Sequence, residues 1–399
     1  MTTAAPPSLS LEEREAPLFF LIAGEPSGDV LGARLMQALK RKTAGRARFA
    51  GIGGERMQAE GMDLFFPQHE LTHFGLFELL RHIPHLLKRI RQTIAEVKRR
   101  KPSALITIDS PDFCFRVAKA LKGLDIPLIH YVAPTVWAWR PKRARKIARF
   151  LDHLLVLLPF EPPYFTRENL PCTFVGHSIV EGAADKGDAV RFRARHAIPD
   201  DAQLLAVLPG SRMSEVTRLL PIFKETVARL HAQHPHLHVI VPTVSGVDPV
   251  VTAAVRDWAT PVTVTLGDED KYDAFAAATA ALACSGTISV ELALAKLPTV
   301  IAYKLNALTV RLYRRFIKTK YATLINIMQN RMVMPELLQE DCTPEKLVAA
   351  VDELLSDPVA RQKQVDELAA IAGWLGQGAF VPSERAADVV LQVVRERGR

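Results

Sequence analysis

The sequence predicts an α/β protein made of two Rossmann-like, doubly wound parallel-sheet domains, and three observations carry that expectation. Short apolar runs alternate with amphipathic segments along most of the 399 residues, the rhythm of βα units whose strands are buried on both faces. The rhythm runs twice, interrupted at residues 176–201 by a polar, charged stretch without a strand pattern. A chain of this length also exceeds what one hydrophobic core ordinarily organises, so two domains are expected.

In the first half PLFFLIA, ARFAGI, ALITI, PLIHYV and HLLVLL read as strands, with helical patterns such as residues 29–42 and 113–122 between them. The second half repeats the layout with QLLAVL, HLHVIV, PVTVT, ALAC and PTVIA. From Thr343 onward the pattern is helical, with Pro358 and Pro382 as breaks. The expected organisation is a disordered leader at 1–16, a first Rossmann-like domain at 17–180, a second at 181–357 and a helical tail at 358–399. That tail either packs back on the first domain or exchanges with a partner subunit, which leaves a homodimer open. Two such sheets place a ligand cleft between their facing strand ends.

The 48% hydrophobic and 24% charged content is that of a globular protein. No apolar run approaches the ~20 residues of a spanning helix. The opening MTTAAPPSLSLEEREAP has neither the basic start nor the apolar block of a signal peptide. Cys114, Cys172, Cys284 and Cys342 are scattered singly, without a CxxC pair, as expected of reduced thiols in the cytosol. The net charge of +8 is uneven: residues 74–150 hold 17 Lys and Arg against 5 Asp and Glu, a local +12. Such a region suits an anionic partner, whether nucleic acid, a phospholipid surface or a phosphorylated substrate, unless it is only a solvated face.

Four strand-to-helix turns carry candidate chemistry. AGEPSGD places Gly24, Glu25, Ser27 and Gly28 at a helix start, where an anion is favoured, though neither GxGxxG nor a Walker motif is present. ALITIDSPDF ends a strand on Asp109, with Asp112 opening the next helix; one acid serves as a helix-start charge, and Asp109 reads either as a general base or as an acceptor that staples its loop. LLAVLPGSRMSEV sets Arg212 at a glycine turn, and arginine is suited to bidentate phosphate contact. In CSGTISVELALAK, Ser285, Gly286 and Thr287 open a helix, and Glu291 follows about one turn in. Amides there suit a diphosphate and the carboxylate suits ribose hydroxyls, while a plain first-turn charge is the bland alternative.

Residues 74–94 place Leu76, Leu79, Leu80, Ile83, Leu86 and Leu87 on one helical stripe, with Arg81, Lys88 and Arg89 beside it. Amphipathicity alone favours a core-facing helix over a membrane-surface one, and Pro84 suggests a break. Trp137 and Trp139 stand before a basic helix, yet aromatics do not recur along it, so nucleic-acid binding is not expected. HELTH at 69–73 imitates a zinc motif but is bracketed too closely by Pro67 and Gly75 for the helix it requires, and DED at 268–270 imitates a metal-binding triplet in a turn. Neither is taken as a metal site.

Read together, AGEPSGDVLGARLMQALK, GIGGERMQAEGM, ITIDSPDF, IHYVAPTVWAWRPKR, LPFEPPYF, VGHSI, LPGSRMSEV, SGTISVELALAKLPTV and KTKYATLINIMQNRMVMPELLQEDCTPEKL resemble lipid-A-disaccharide synthases from about Pro17 to Leu355. The resemblance implies a GT-B architecture, two Rossmann-like domains facing a central cleft, in a cytoplasmic glycosyltransferase at the inner face of the cytoplasmic membrane. It implies metal-independent inverting transfer from UDP-2,3-diacylglucosamine to the 6-hydroxyl of 2,3-diacylglucosamine 1-phosphate, with no cofactor. By position it makes Asp109 the base, Arg212 the UDP-phosphate arginine, Glu291 the nucleotide-site acid and Asn326 a polar residue of the same cleft. It also turns the stripe at 74–94 into an anionic-membrane contact. Pro26, Ile325 and Gln329–Asn330 depart from the family's usual residues. A UDP-sugar epimerase or hydrolase of the same fold would need Arg212 and Glu291 but not the basic, amphipathic side. A non-catalytic membrane- or RNA-binding module would need only that side.

Overall fold

The computed structural model describes residues 16–72, 78–138, 140–306, 310 and 319–397, with only the backbone of 72 and 78–83. The leader expected at 1–16 falls almost wholly outside them. The chain forms two compact units: one up to Ser178 that also takes Phe380 onward, the other Ile179–Ala379.

The first unit is a parallel sheet of β1 (Leu18–Ala23), β2 (Arg48–Gly53), β3 (Asp63–Pro67), β4 (Ala104–Ile108), β5 (Leu128–Tyr131), β6 (His153–Val156) and β7 (Cys172–Phe174), in the order β3-β2-β1-β4-β5-β6-β7. Alternate residues feed opposite cores: Phe19, Leu21 and Ala23 one, Phe20 and Ile22 the other. This two-sided burial explains why the strands read as continuous apolar runs. The second unit repeats the plan with β8 (Gln203–Leu208), β9 (Leu237–Thr243), β10 (Val262–Leu266), β11 (Ala280–Cys284), β12 (Thr299–Tyr303) and β13 (Glu336–Leu338), ordered β10-β9-β8-β11-β12-β13.

The strands absent from the sequence reading, β3, β7 and β13, all lie at sheet edges. At three to five residues, each offers too little apolar run to stand out. The stretch between the sheets contains the helix Ala189–Arg195, secured to the second unit by Arg191, which donates to buried Asp273 at 2.6 and 2.7 Å.

The expected breaks at Pro358 and Pro382 are helix starts: Pro344–Ser356, Pro358–Trp374 and Pro382–Arg397 each begin on a proline, where its missing N–H costs nothing. The tail expected at 358–399 divides between the two units. Helix Pro358–Trp374 stays in the second unit, where buried Gln364 accepts from Thr299 N–H and donates to Val333 carbonyl at 2.9 Å. Only Pro382–Arg397 joins the first, packing Ala386, Ala387 and Val390 into the core beside helix Pro26–Lys42. Glu384 pairs there with Arg41 and Lys42.

Candidate functional site

In each unit the strand order reverses once, between β1 and β4 in the first and between β8 and β11 in the second. Such switch points open a crevice at the carboxyl ends of the strands. The four turns singled out from sequence are the four loops at these two points.

At the first switch point Gly24 follows β1 and Asp109 follows β4. A Cβ on Gly24 would sit 2.2 Å from the Ser110 hydroxyl, so glycine is what lets the two loops touch. Asp109 (φ 51°) and Ser110 (φ 42°) are both left-handed, and Val132 after β5 has φ 80°, costly for a β-branched residue. Strain gathered at neighbouring strand ends is the pattern of a functional rim. Asp109 is half-buried, and that burial raises its carboxyl above the usual range, partly offset by the Ser110 N–H. A carboxylate moved toward neutrality is a better general base. Asp112 is 98% exposed, in the first turn of helix Pro111–Leu121, with Arg143 at 3.5 Å.

The rest of the AGEPSGD turn divides. Glu25 and Ser27 are exposed at the start of helix Pro26–Lys42, while Gly28 is buried against Ala23. Asp29 faces inward and accepts the N–H groups of Gly54, Arg56 and Met57 at 2.8–3.0 Å, tying this helix to the turn after β2. Sequence reasoning missed that clamp, whose partners lie 25 or more residues away.

It also missed two separate buried groups near β5 and β6. Glu161 accepts from the Leu158 N–H at 3.0 Å and the Trp137 indole at 3.3 Å, and burial pushes its carboxyl up to about 7. His130 shares a proton with the Thr107 hydroxyl at 2.7 Å, and burial pushes its imidazole down to about 3. Trp139 lies outside the described residues.

In the second unit Arg212 caps helix Met213–Gln233, its side chain 77% exposed and 3.2 Å from Glu215. Glu215 turns back to accept the Ser211 and Arg212 N–H groups at 3.2 and 3.3 Å. Gly210, at φ 119°, makes room for it: a Cβ there would meet the Glu215 carboxylate at 2.6 Å. This carboxylate meets the amides an anion would seek and also accepts from the guanidinium, whose side chain nonetheless stays 77% exposed.

Ser285, Gly286 and Thr287 lead from β11 into the short helix Ile288–Leu294, with Gly286 and Thr287 exposed and Ser289 buried against the Gly286 carbonyl. Glu291 is 18% exposed and meets the Lys271 ammonium at 2.8 Å. At that distance the ammonium is charge-paired with Glu291 Oε2, the oxygen that lies buried. Burial alone would lower the Lys271 ammonium, but Glu291 and Asp268 together outweigh it and raise it.

Asn326 requires correction. It is fully buried, its Nδ2 donating to Met334 carbonyl and Glu336 Oε1 at 2.7 Å, its Oδ1 accepting from Val333 N–H at 2.7 Å and Met334 N–H at 3.0 Å. Two donors and two acceptor sites are its whole capacity. It staples the segment before β13 and has nothing left for a ligand.

The proposed membrane stripe also divides. Leu76 lies outside the described residues, and of Leu79, Leu80, Arg81 and Ile83 only the backbone is described. Helix Glu78–Arg100 runs unbroken through Pro84, against the expected break. Leu86 packs on the first unit's core, and Arg89 lies 4.5 Å over the Phe66 ring and forks onto Glu70. Neither is a lipid contact: side chains pointing inward on an amphipathic helix are spent on the core. Leu87, 38% exposed, and Lys88 point outward.

Within HELTH, Glu70 is the Arg89 partner, and His73 lies outside the described residues. The DED residues open helix Asp268–Ala277, with Asp268 3.0 Å from Lys271, and Glu269 and Asp270 engaged by Arg195. Among the described residues no helix is long and apolar enough to cross a membrane.

Comparisons with known proteins bear on the whole chain. The family model for lipid-A-disaccharide synthetase matches residues 19–389. A lipid-A-disaccharide synthase of Rhodospirillum centenum is 59% identical over 382 residues, covering 95% of each chain. That of Paramagnetospirillum magneticum is 50% identical, covering 95% of this chain and 98% of its own. Among solved structures, the glycosyltransferase of kitacinnamycin superposes with TM-score 0.66 at 16% identity, covering 96% of this chain and all of its own. MurG of Acinetobacter baumannii does so with TM-score 0.57 at 13% identity, covering 94% and 99%. These structural likenesses show the GT-B fold alone.

Proposed function

The chain belongs to the lipid-A-disaccharide synthase family, and from that premise we propose how its own residues carry the reaction. It is a glycosyltransferase that transfers 2,3-diacylglucosamine from UDP-2,3-diacylglucosamine to the 6-hydroxyl of 2,3-diacylglucosamine 1-phosphate. The Asp109 carboxylate takes the hydroxyl proton as that oxygen attacks the donor's anomeric carbon. The bond from that carbon to the UDP oxygen breaks, UDP leaves with the electron pair, and attack from the opposite face inverts the centre, giving a β-1,6 linkage.

Charge building on the departing diphosphate is met by Arg212 and by amides at Ser285, Gly286 and Thr287, while Glu291 accepts from ribose hydroxyls. No metal ion or cofactor takes part. The observation that carries the function is the match along nearly the entire chain; what supports Asp109 as base is its half-buried, raised carboxyl at the switch point. The enzyme works at the cytoplasmic face of the inner membrane, its exposed Leu87 and Lys88 toward anionic lipid, so that acyl chains need not be extracted at ~0.8 kcal/mol per CH₂.

The test is purified protein with both acylated substrates and excess EDTA, followed by mass analysis for the disaccharide 1-phosphate and UDP. Both products are expected. Absence of the disaccharide without EDTA refutes the function. Loss only with EDTA, restored by magnesium or manganese, refutes metal independence alone.

A further inference from the structure

We infer that Lys271 is a positioning residue of the nucleotide site, one that holds the Glu291 carboxylate toward the ribose hydroxyls of bound UDP. The inference rests on the proposed reading of Glu291 as the ribose acceptor and adds the group that keeps it in place. Glu291 is more than a first-turn charge. Such a charge faces water and needs no tertiary partner, whereas this side chain is 18% exposed and meets a cation from another helix.

That cation is itself fixed. Lys271 comes from the first turn of helix Asp268–Ala277, which follows β10. It is also 18% exposed, 3.0 Å from Asp268 and 4.5 Å from the centre of the Tyr272 ring. Two carboxylates and a ring face leave the ammonium little freedom.

The pair has an open side. Glu291 Oε2 is buried against the ammonium at 2.8 Å, so the 18% of the side chain left exposed lies on the side of Oε1, which accepts no hydrogen bond among the described residues. A partly buried carboxylate whose charge is balanced at one oxygen keeps the other for a donor from outside. Ribose brings two adjacent hydroxyls. Without Lys271 the carboxylate would be a partly buried charge without a counterion, and it would rotate toward water. Lys271 thus acts through Glu291 rather than by touching the reacting atoms. The DED triplet beside it gains a role unrelated to metal, since Asp268 steadies the lysine.

The test is a set of calorimetric titrations with UDP, 2′-deoxy-UDP and 3′-deoxy-UDP, on wild type, Glu291→Gln, Lys271→Met and Lys271→Arg. Wild type should prefer UDP over the nucleotide lacking the Glu291-bonded hydroxyl by about ten- to a hundredfold, the range of one charge-assisted hydrogen bond. Glu291→Gln should lose most of that preference, Lys271→Met should lose it to a similar degree, and Lys271→Arg should keep most of it. A merely structural ion pair would lower the melting temperature of Lys271→Met without changing the ratio of the two affinities. An unchanged ratio in Lys271→Met, alongside its loss in Glu291→Gln, overturns the inference and spares Glu291. An unchanged ratio in Glu291→Gln overturns the ribose reading itself. If Lys271→Met does not fold, Lys271→Gln takes its place: it keeps a donor but no charge, and a wild-type ratio there overturns the inference.

Discussion

Replacing Asp109 with asparagine separates catalysis from folding at one carboxyl oxygen. Asparagine has nearly the same shape and is, with aspartate, among the few non-glycine residues that adopt a left-handed conformation readily, so φ 51° is kept. Among the described residues no side chain donates a hydrogen bond to the carboxylate; the Ser110 N–H is the group that lowers it. The amide therefore loses basicity and little else. General-base catalysis is typically worth 10²–10⁴, so turnover should fall by that factor, about 2.7–5.4 kcal/mol at 1.36 kcal/mol per decade.

Stability should move the other way. Burial raises the folded-state value above the unfolded one. The resulting cost is absent at acid pH, where both states are protonated. It grows as pH rises from the unfolded value through the folded one and is fully present above the folded one. The Asp109→Asn variant carries no such cost, so its melting temperature at pH 7 should equal or exceed that of wild type, with the difference vanishing below the usual carboxylate range. The wild-type rate profile should show an acid limb set by the raised carboxyl, absent from the residual activity of the variant. Steady-state kinetics on mixed micelles, UDP titration and thermal melts at two pH values make the assay. A loss below tenfold, an equal loss of UDP affinity, or a larger effect from Asp112→Asn would refute the assignment.

Arg212→Ala should weaken UDP binding about ten- to a hundredfold, for one charge-assisted contact of roughly 1.5–3 kcal/mol, with little change in melting because the side chain is 77% exposed; wild-type affinity in the titration would refute it. Asn326→Ala should instead destabilise by several kcal/mol in a denaturant titration, since at about 1–3 kcal/mol per stranded group it orphans the Val333 and Met334 N–H groups and takes a donor from buried Glu336. UDP affinity of its folded fraction should hold, and an unchanged stability with lost affinity would return Asn326 to the ligand. Lys88→Glu should reduce binding to phosphatidylglycerol vesicles at low salt and lose its effect at high salt, whereas Leu87→Ser should reduce binding at both; vesicle binding unaffected by either places the membrane contact elsewhere.

The residues at the heads of helices were legible because their chemistry is local. Asp109, Arg212 and Glu291 each follow a buried apolar run within a few positions, and that run alone says where a strand ends. The two parallel sheets were legible for the same reason: strands covered on both faces read as uninterrupted apolar sequence. The edge strands β3, β7 and β13 were not, being short.

Side-chain partners were beyond the sequence wherever they come from distant positions. A helical stripe is the same in sequence whether it faces a core or a lipid, and only the packing of Leu86 and the Glu70 fork on Arg89 divided this one. An asparagine in a matching motif looks the same whether it meets a ligand or spends all four bonds on Met334, Glu336 and Val333. Lys271, twenty residues before Glu291, carries no local mark of the ion pair it makes. By itself the sequence determined the periodicity of burial, hence the central strands and the acids and arginine at their ends. The tertiary structure alone decided which of those groups keep an unspent charge or lone pair, because hydrogen-bond capacity is consumed by whatever the fold brings within about 3 Å, and chain distance does not enter that sum.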